Sequence, residues 1–271
     1  MSTGKRTSSE TRHEITHETT HARVYSLLRQ QLMRGDYLPG KSLSIRFVSE
    51  QFGVSATPAR EALKRLESQY ALTKDPGRTM IVPQLSLGEL KDVRDIRISL
   101  EGLLAAKAAE RATPEEIDEI TNICSQMETA INDRHPDEYF RLNVDFHRAV
   151  YIASKTDVAV DFVYSLWLRA GPYMRFPIDA ESESNFSEGR RLPMEYHWAC
   201  ADALRRRDPE AARKAIEADI RIAGKRIMEH LAEQSRTELD RVIPQIHRSR
   251  PHDAMKVRRS TISAEHPIPE K

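Results

Sequence analysis

Two histidines, an asparagine and an aspartate stand where helical spacing turns them inward. In "YFRLNVDFHRAVYIAS", Asn143 and His147 are four residues apart and so share one helix face, with Phe146 and Val150 beside them. His197 lies next to Trp198 and near Leu204 in "EYHWACADALRRRD", and Asp219 stands among Ile216, Ile220 and Ile222. Two imidazoles, a carboxamide and a carboxylate among apolar residues are costly to bury unless they pair or coordinate something. Three helices that deliver such groups inward can ring a divalent metal ion and leave coordination positions open. One carboxylate and two imidazoles suit zinc first, with manganese, iron and nickel also compatible. A metal-free polar pocket, or histidines simply satisfied in a core, are the alternatives. His13, His17, His21 and His230 sit in tails or helix ends and enter neither scheme.

An open metal position beside a cation suits a small carboxylate, the metal taking one oxygen and an arginine the rest. Arg97, Arg169 and Arg175 are the candidate cations, and Tyr173 and Trp167 are candidates for the wall of such a pocket. No HExxH-type base or evident nucleophile accompanies the ligands, so a metal-dependent enzyme is the weaker alternative.

A second stretch points to different chemistry. "VSATPAREALKRLE", residues 54–67, reads as a turn leading into a helix with Arg60, Lys64 and Arg65 on or near its outer face and Ala62, Leu63 and Leu66 on its inner one. A guanidinium just past the helix start can pair with guanine in the major groove of DNA. Ser55 and Thr57 lie where hydroxyls and a helix N-terminus hold phosphate. Thr57 is the expected N-cap and Pro58 the expected first helical residue. Arg46 on the preceding helix and Arg78 in the hairpin that follows are placed to flank the groove. Each charge alone is an ordinary solvated one. Turn, helix and hairpin together favour DNA.

These residues need positioning elements, and the chain supplies them in two blocks. Residues 1–18 lack apolar periodicity and read as disordered. From 19 to 84 the pattern predicts three short helices: one from about Thr19 to "RGDYLPG", one over roughly Ser44–Gln51, and the helix just described. "LTKDPGRTMIVPQ" then reads as strand, Pro-Gly turn and strand with Arg78 near the tip. That makes a winged helix-turn-helix. Residues 85–232 read as about six or seven helices without strands, an all-helical antiparallel bundle with short loops and one polar loop, "DAESESNFSEG". Thr113, Pro114 and Glu116 form a capping-box signature there, and Asp208-Pro209 opens the last helix. Residues 233–271 are polar with scattered arginine and read as a disordered tail. The fold class is mainly α.

Charge supports the division. The net charge is +1, yet basic residues prevail in 1–84 and acidic ones in 85–235. A basic front on an acidic body suits a protein that touches a polyanion with one part only. Two cysteines, Cys124 and Cys200, fit a reducing compartment rather than a disulfide framework. There is no run of membrane-spanning length and no signal-peptide core, so a cytoplasmic protein is expected.

The stretch "LPGKSLSIRFVSEQFGVSATPAREALKRLE" with "DPGRTMIVP" resembles the DNA-binding domain of the GntR family of bacterial transcription regulators. Two positions depart from the family pattern: Ala56, where an arginine is common, and Thr79, where a second wing glycine is common. The first implies an altered operator preference. "DIRISLEGLLAAKAAERA", "DFHRAVYIAS" and "EYHWACADALRRRDPEAARKAIEADI" are similar to the helical ligand-sensing (FCD) domain of the FadR-type subfamily. Its metal positions, commonly Asp, His, His and His, fall on Asn143, His147, His197 and Asp219, so an amide replaces the first acid and an acid the last imidazole. Arg97 falls where the subfamily commonly has an arginine. The resemblance implies a homodimeric regulator, by family habit a repressor. It would bind a pseudo-palindromic double-stranded DNA operator under control of a small effector, expected to be a carboxylate.

Overall fold

The computed structural model describes residues 19–175 and 194–248, with side chains as far as Arg236. Helix α1 (Thr20–Arg34) buries Val24, Tyr25, Leu28 and Leu32 along one stripe and ends at Gly35, whose φ of 76° only glycine adopts freely. Strand β1 (Ser42–Leu43) precedes α2 (Ile45–Phe52), where the Ser44 hydroxyl accepts the Phe47 N–H at 3.0 Å and Gly53 closes the C-terminus. Helix α3 spans Ala56–Ser68 and buries Ala59, Ala62, Leu63 and Leu66. Its N-cap is Ser55 rather than the Thr57 expected from sequence, and Pro58 therefore stands third in the helix rather than first. Ser55 already has the extended backbone of a cap, and proline is tolerated because the first four N–H groups of a helix have no partner within it.

The hairpin is present as β2 (Thr73–Lys74) and β3 (Met80–Ile81). Strand β1 adds to it in the order β1-β3-β2, with Ser42 opposite Ile81 and Thr73 opposite the same residue on the other side. A two-residue strand is too short to show alternation, so β1 left no mark in the sequence. The tip also differs from the Pro-Gly turn that the sequence suggests. Arg78, not Gly77, takes the left-handed backbone at φ 64°, and Asp75 holds the turn by accepting the Thr79 N–H at 2.7 Å.

From Leu87 onward every described element is helical. Helix α4 (Leu87–Arg111) starts with a capping box of Ser86 and Glu89, and α5 (Pro114–Asn132) with the expected box of Thr113 and Glu116. Helices α6 (Pro136–Ala153) and α7 (Asp157–Ala170) follow, and a 3-10 turn (Gly171–Tyr173) continues directly from α7. Helix α8 (Met194–Arg205) and helix α9 (Pro209–Arg248) complete the set. Helix α9 runs beyond residue 232, where the sequence suggested a disordered tail. No glycine or proline interrupts residues 225–243, and the helix continues past Pro244 to Arg248. The proposed disordered segment 1–18, the polar loop at 179–189 and residues 249–271 lie outside the described residues.

The described residues up to Leu231 form one compact unit, and those from Ala232 onward belong to a second. Within the first, one apolar core runs from Leu28, Leu63 and Leu66 through Leu104, Phe146 and Trp167. Helix α1 joins the winged part to the bundle. It packs on α3 and also on α7 and the 3-10 turn, and the Arg29 guanidinium lies 4.2 Å above the Tyr164 ring. Gly171 makes the closest approach: a Cβ there would lie 2.4 Å from the Leu32 carbonyl oxygen and 2.7 Å from the Met33 Cα. Backbone meets backbone, so only glycine fits.

Candidate functional site

The outer face of α3 follows from its buried one. With Ala59, Ala62, Leu63 and Leu66 turned inward, Thr57, Arg60 and Lys64 are exposed on the opposite side. Lys64 makes only a 3.5 Å exposed contact with Glu61, and Arg46 on α2 pairs at 2.8 Å with Glu50 while remaining almost fully exposed. Ser55 is exposed and its hydroxyl makes no cap bond, and Arg78 is exposed at the hairpin tip. Exposed pairs of this kind contribute little to stability and exchange readily for a phosphate. Arg65 is different: it lies over the Tyr25 ring at 3.8 Å and ties α3 to α1.

In the bundle, α6, α8 and α9 bring His147, His197 and Asp219 together. All three are buried, and one candidate donor atom from each lies within 4.8 Å of the others. His147 Nε2 is 3.3 Å from Asp219 Oδ2, and His197 Nδ1 is 3.7 Å from Oδ1. Asn143 stands behind this trio: its Oδ1 is 3.0 Å from His197 Nε2. The amide oxygen can only accept, so Nε2 carries the proton between them and Nδ1 is the ring nitrogen that faces Asp219. Burial pushes the Asp219 carboxyl up, but the imidazoles of His197 and His147 and then the Arg97 guanidinium outweigh it. Its pKa lies below the ordinary value, so the acid is ionised. Among the described residues neither cysteine belongs to this donor group, and burial pushes the Cys124 thiol up to about 12 and that of Cys200 further.

A buried polar chain lies behind His147. Glu101 Oε2 is 3.6 Å from His147 Nδ1, a buried atom with no closer hydrogen-bond partner. The same carboxylate receives Arg97 Nε at 2.6 Å and the Tyr151 hydroxyl, and Trp167 Nε1 donates to that hydroxyl at 2.9 Å. The Arg97 guanidinium rests 4.3 Å from the Trp167 ring. Burial works against the Arg97 charge, yet Glu101 and Tyr151 more than restore it. Burial, then Glu101, lifts the Tyr151 hydroxyl well above its ordinary pKa and keeps it a donor. Sequence spacing passed over Glu101 and Tyr151 as chemistry, although Arg97 and Glu101 at i and i+4 on an apolar face carried a signal.

His147 and Asp219 open on a pocket that encloses about 500 Å³ of empty space, open solvent at its mouth included. Arg97, His147 and Asp219 lie on its wall, as does Tyr173. Arg94 lines it too, with its side chain running over Gly224 so closely that a Cβ there would meet Arg94 Cδ at 2.5 Å. The other cations proposed from sequence are placed elsewhere. Arg169 reaches toward Glu89 at 3.9 Å outside the lining, and Arg175 pairs with Asp36 and Asp137 over the Phe140 ring. Trp167 is buried beneath Arg97 rather than in the lining. Arg169 stands in the last turn of α7 and Arg175 lies just beyond the 3-10 turn, near the contact with α1 that spacing alone did not reveal.

Tyr173 has a second attachment. Its hydroxyl accepts the Leu85 N–H at 2.5 Å and donates to the Pro83 carbonyl at 3.3 Å, so the pocket wall holds the segment between β3 and α4.

Residues 20–82 match the family described as bacterial regulatory proteins, gntR family, and residues 92–222 match the FCD domain. The HTH-type transcriptional regulator McbR of Escherichia coli K12 is 31% identical over 189 residues, 70% of this chain and 84% of that protein. The chain belongs to the GntR family of bacterial regulatory proteins. Another member, the HTH-type transcriptional repressor RspR of the same strain, is 25% identical over 193 residues, 71% of this chain and 82% of its own. The solved structure of E. coli McbR/YncC superposes with a TM-score of 0.68 at 27% identity, covering 81% of this chain and 99% of that one. A GntR structure from Rhodococcus sp. RHA1, at 17% identity and a TM-score of 0.61, shares the fold. This GntR-family protein is therefore a DNA-binding transcription regulator with an effector-type FCD domain, not an enzyme. Among the described residues no helix is long and apolar enough to cross a membrane.

Proposed function

We propose that this regulator binds a pseudo-palindromic operator as a homodimer and represses from it. In this reading residues 19–84 read DNA and residues 85–232 sense a small organic acid beside a divalent metal. Arg60 reads a base edge, Lys64, Arg46 and Arg78 meet phosphates, and Ser55 and Thr57 present the α3 N-terminus to the backbone. One helix reads few base pairs, and two copies related by symmetry read an inverted repeat.

The observation that supports a metal is the convergence of His147, His197 and Asp219, all buried, from three helices. This donor set fits zinc best, with manganese, iron or nickel as alternatives. Asn143 is better suited to orient His197 than to ligate, because its oxygen already faces the far ring nitrogen. A bound metal would supply a Lewis-acid position for a carboxylate oxygen. Full-length protein purified without chelator is expected to carry about one equivalent of metal per chain, and His197→Ala to lose it. Metal-free native protein by elemental analysis would instead favour the second reading, an effector pocket in which the trio pairs internally, as its 3.3 and 3.7 Å contacts allow.

Tyr173 supports a route from pocket to DNA, since it lines the one and holds the segment leading from the other. Tyr173→Phe keeps the ring and removes both bonds to that segment. An acid that shifts the melting temperature should still bind the variant. Its effect on operator affinity, about 5- to 150-fold for a coupling of roughly 1–3 kcal/mol, should shrink toward none. An undiminished effect removes Tyr173 from the route.

A further inference from the structure

The pocket carries more information than its polar end. Its polar side chains among the described residues are Arg94, Arg97, His147, Asp219 and Tyr173, and the Tyr173 hydroxyl is committed to Leu85 and Pro83. Arg97, His147 and Asp219 gather at one deeply buried end. Elsewhere the wall is apolar. Leu90, Tyr173 and Ile227 form a buried cluster separate from the main core, with Met174 packed against it, and Val93 and Ile220 complete the lining toward the trio. This second apolar cluster surrounds a space instead of filling it.

We infer that the effector of this pocket is a carboxylate with an unbranched alkyl or aryl body, and not a hydroxylated sugar acid. The inference rests on the proposed acid-binding site and adds the chemical class of the ligand. An anionic head would lie at the polar end beside Arg97, His147 and Asp219, since Arg94 already pairs with Asp95 at 2.7 Å, while the body would lie against Leu90, Ile227 and Met174. Each buried methylene should raise affinity about fourfold. Hydroxyl groups along the body of a sugar acid would meet Leu, Ile and Met side chains and give up water without a partner, which costs affinity at each one. Arg97 does not serve several hydroxyls, because Glu101 already takes its Nε at 2.6 Å.

Calorimetric titration of the full-length, zinc-loaded protein with acetate, butyrate, hexanoate and phenylacetate, and with gluconate as the hydroxylated probe, tests this. The expected result is a rise of roughly three- to fivefold per methylene from acetate to hexanoate. Gluconate should bind at least tenfold more weakly than hexanoate. Ile227→Ser, checked by circular dichroism for an unchanged fold, should flatten the series. Gluconate binding as tightly as hexanoate, or a series flat in chain length, overturns the inference while leaving an acid-binding pocket in place. Failure of every acid to bind overturns both that pocket and the inference.

Discussion

Arg60→Ala is expected to abolish sequence-specific operator binding while leaving the protein folded. The side chain is exposed on α3, makes no ion pair within 4 Å among the described residues, and lies opposite the buried Ala62–Leu63–Leu66 stripe. Its loss therefore removes no packing, and the melting temperature should stay within about a degree. On DNA the loss is large. A bidentate arginine–guanine pair contributes about 1–3 kcal/mol of discrimination, and a symmetric dimer loses it twice, or roughly 2–6 kcal/mol in all. Lys64→Ala should behave differently, weakening all duplexes alike and lowering the salt dependence of binding, as a phosphate contact does. Competition titrations with specific and scrambled duplexes separate the two. An Arg60→Ala protein with undiminished preference for its operator would assign base reading to another residue.

Glu101→Gln is expected to cause the largest loss of stability of any single substitution in the bundle. Glu101 is fully buried and its carboxylate answers the buried guanidinium of Arg97 at 2.6 Å, the Tyr151 hydroxyl and the near nitrogen of His147. Glutamine keeps the volume and the oxygen but takes from Arg97 its directly bonded counter-ion, with only Asp219 left to offset the charge. Breaking one side of a buried pair costs about 3–5 kcal/mol, which for a unit of this size is roughly 10 °C in melting temperature. The double substitution Arg97→Met, Glu101→Leu should recover most of it, since an apolar pair is often as stable as the ionic one. A loss below about 1 kcal/mol for Glu101→Gln would mean that water in the pocket screens the pair.

The contrast between these two residues explains what sequence could show. The outward position of Arg60 was legible because it depends on local facts: a helix start, an exposed face and a hairpin that follows. The trio of His147, His197 and Asp219 was legible as inward-facing polar groups, since each sits amid apolar residues in its own helix. Glu101 was not, because its partner Tyr151 lies fifty residues away and no spacing announces a contact between α4 and α6. Arg169 and Arg175 were assigned to the pocket on type alone, and the packing sets them against Glu89 and Asp36 instead. Tyr173 was foreseen as wall but not as a tether, for the same long-range reason. Helix boundaries were the finer error. Both Ser55 and Thr57 can cap, and only the backbone conformation decides between them. The end of α9 was read from polarity, which ends burial but does not end a helix.

Selection of the full-length protein on a library of random duplexes, followed by sequencing, addresses the central claim most directly. The account predicts enrichment of a single inverted repeat, with half-sites about one helical turn apart and a guanine at the position lost in Arg60→Ala. A bound pool without any shared sequence, or one equally enriched by the wild type and by Arg60→Ala, would contradict it.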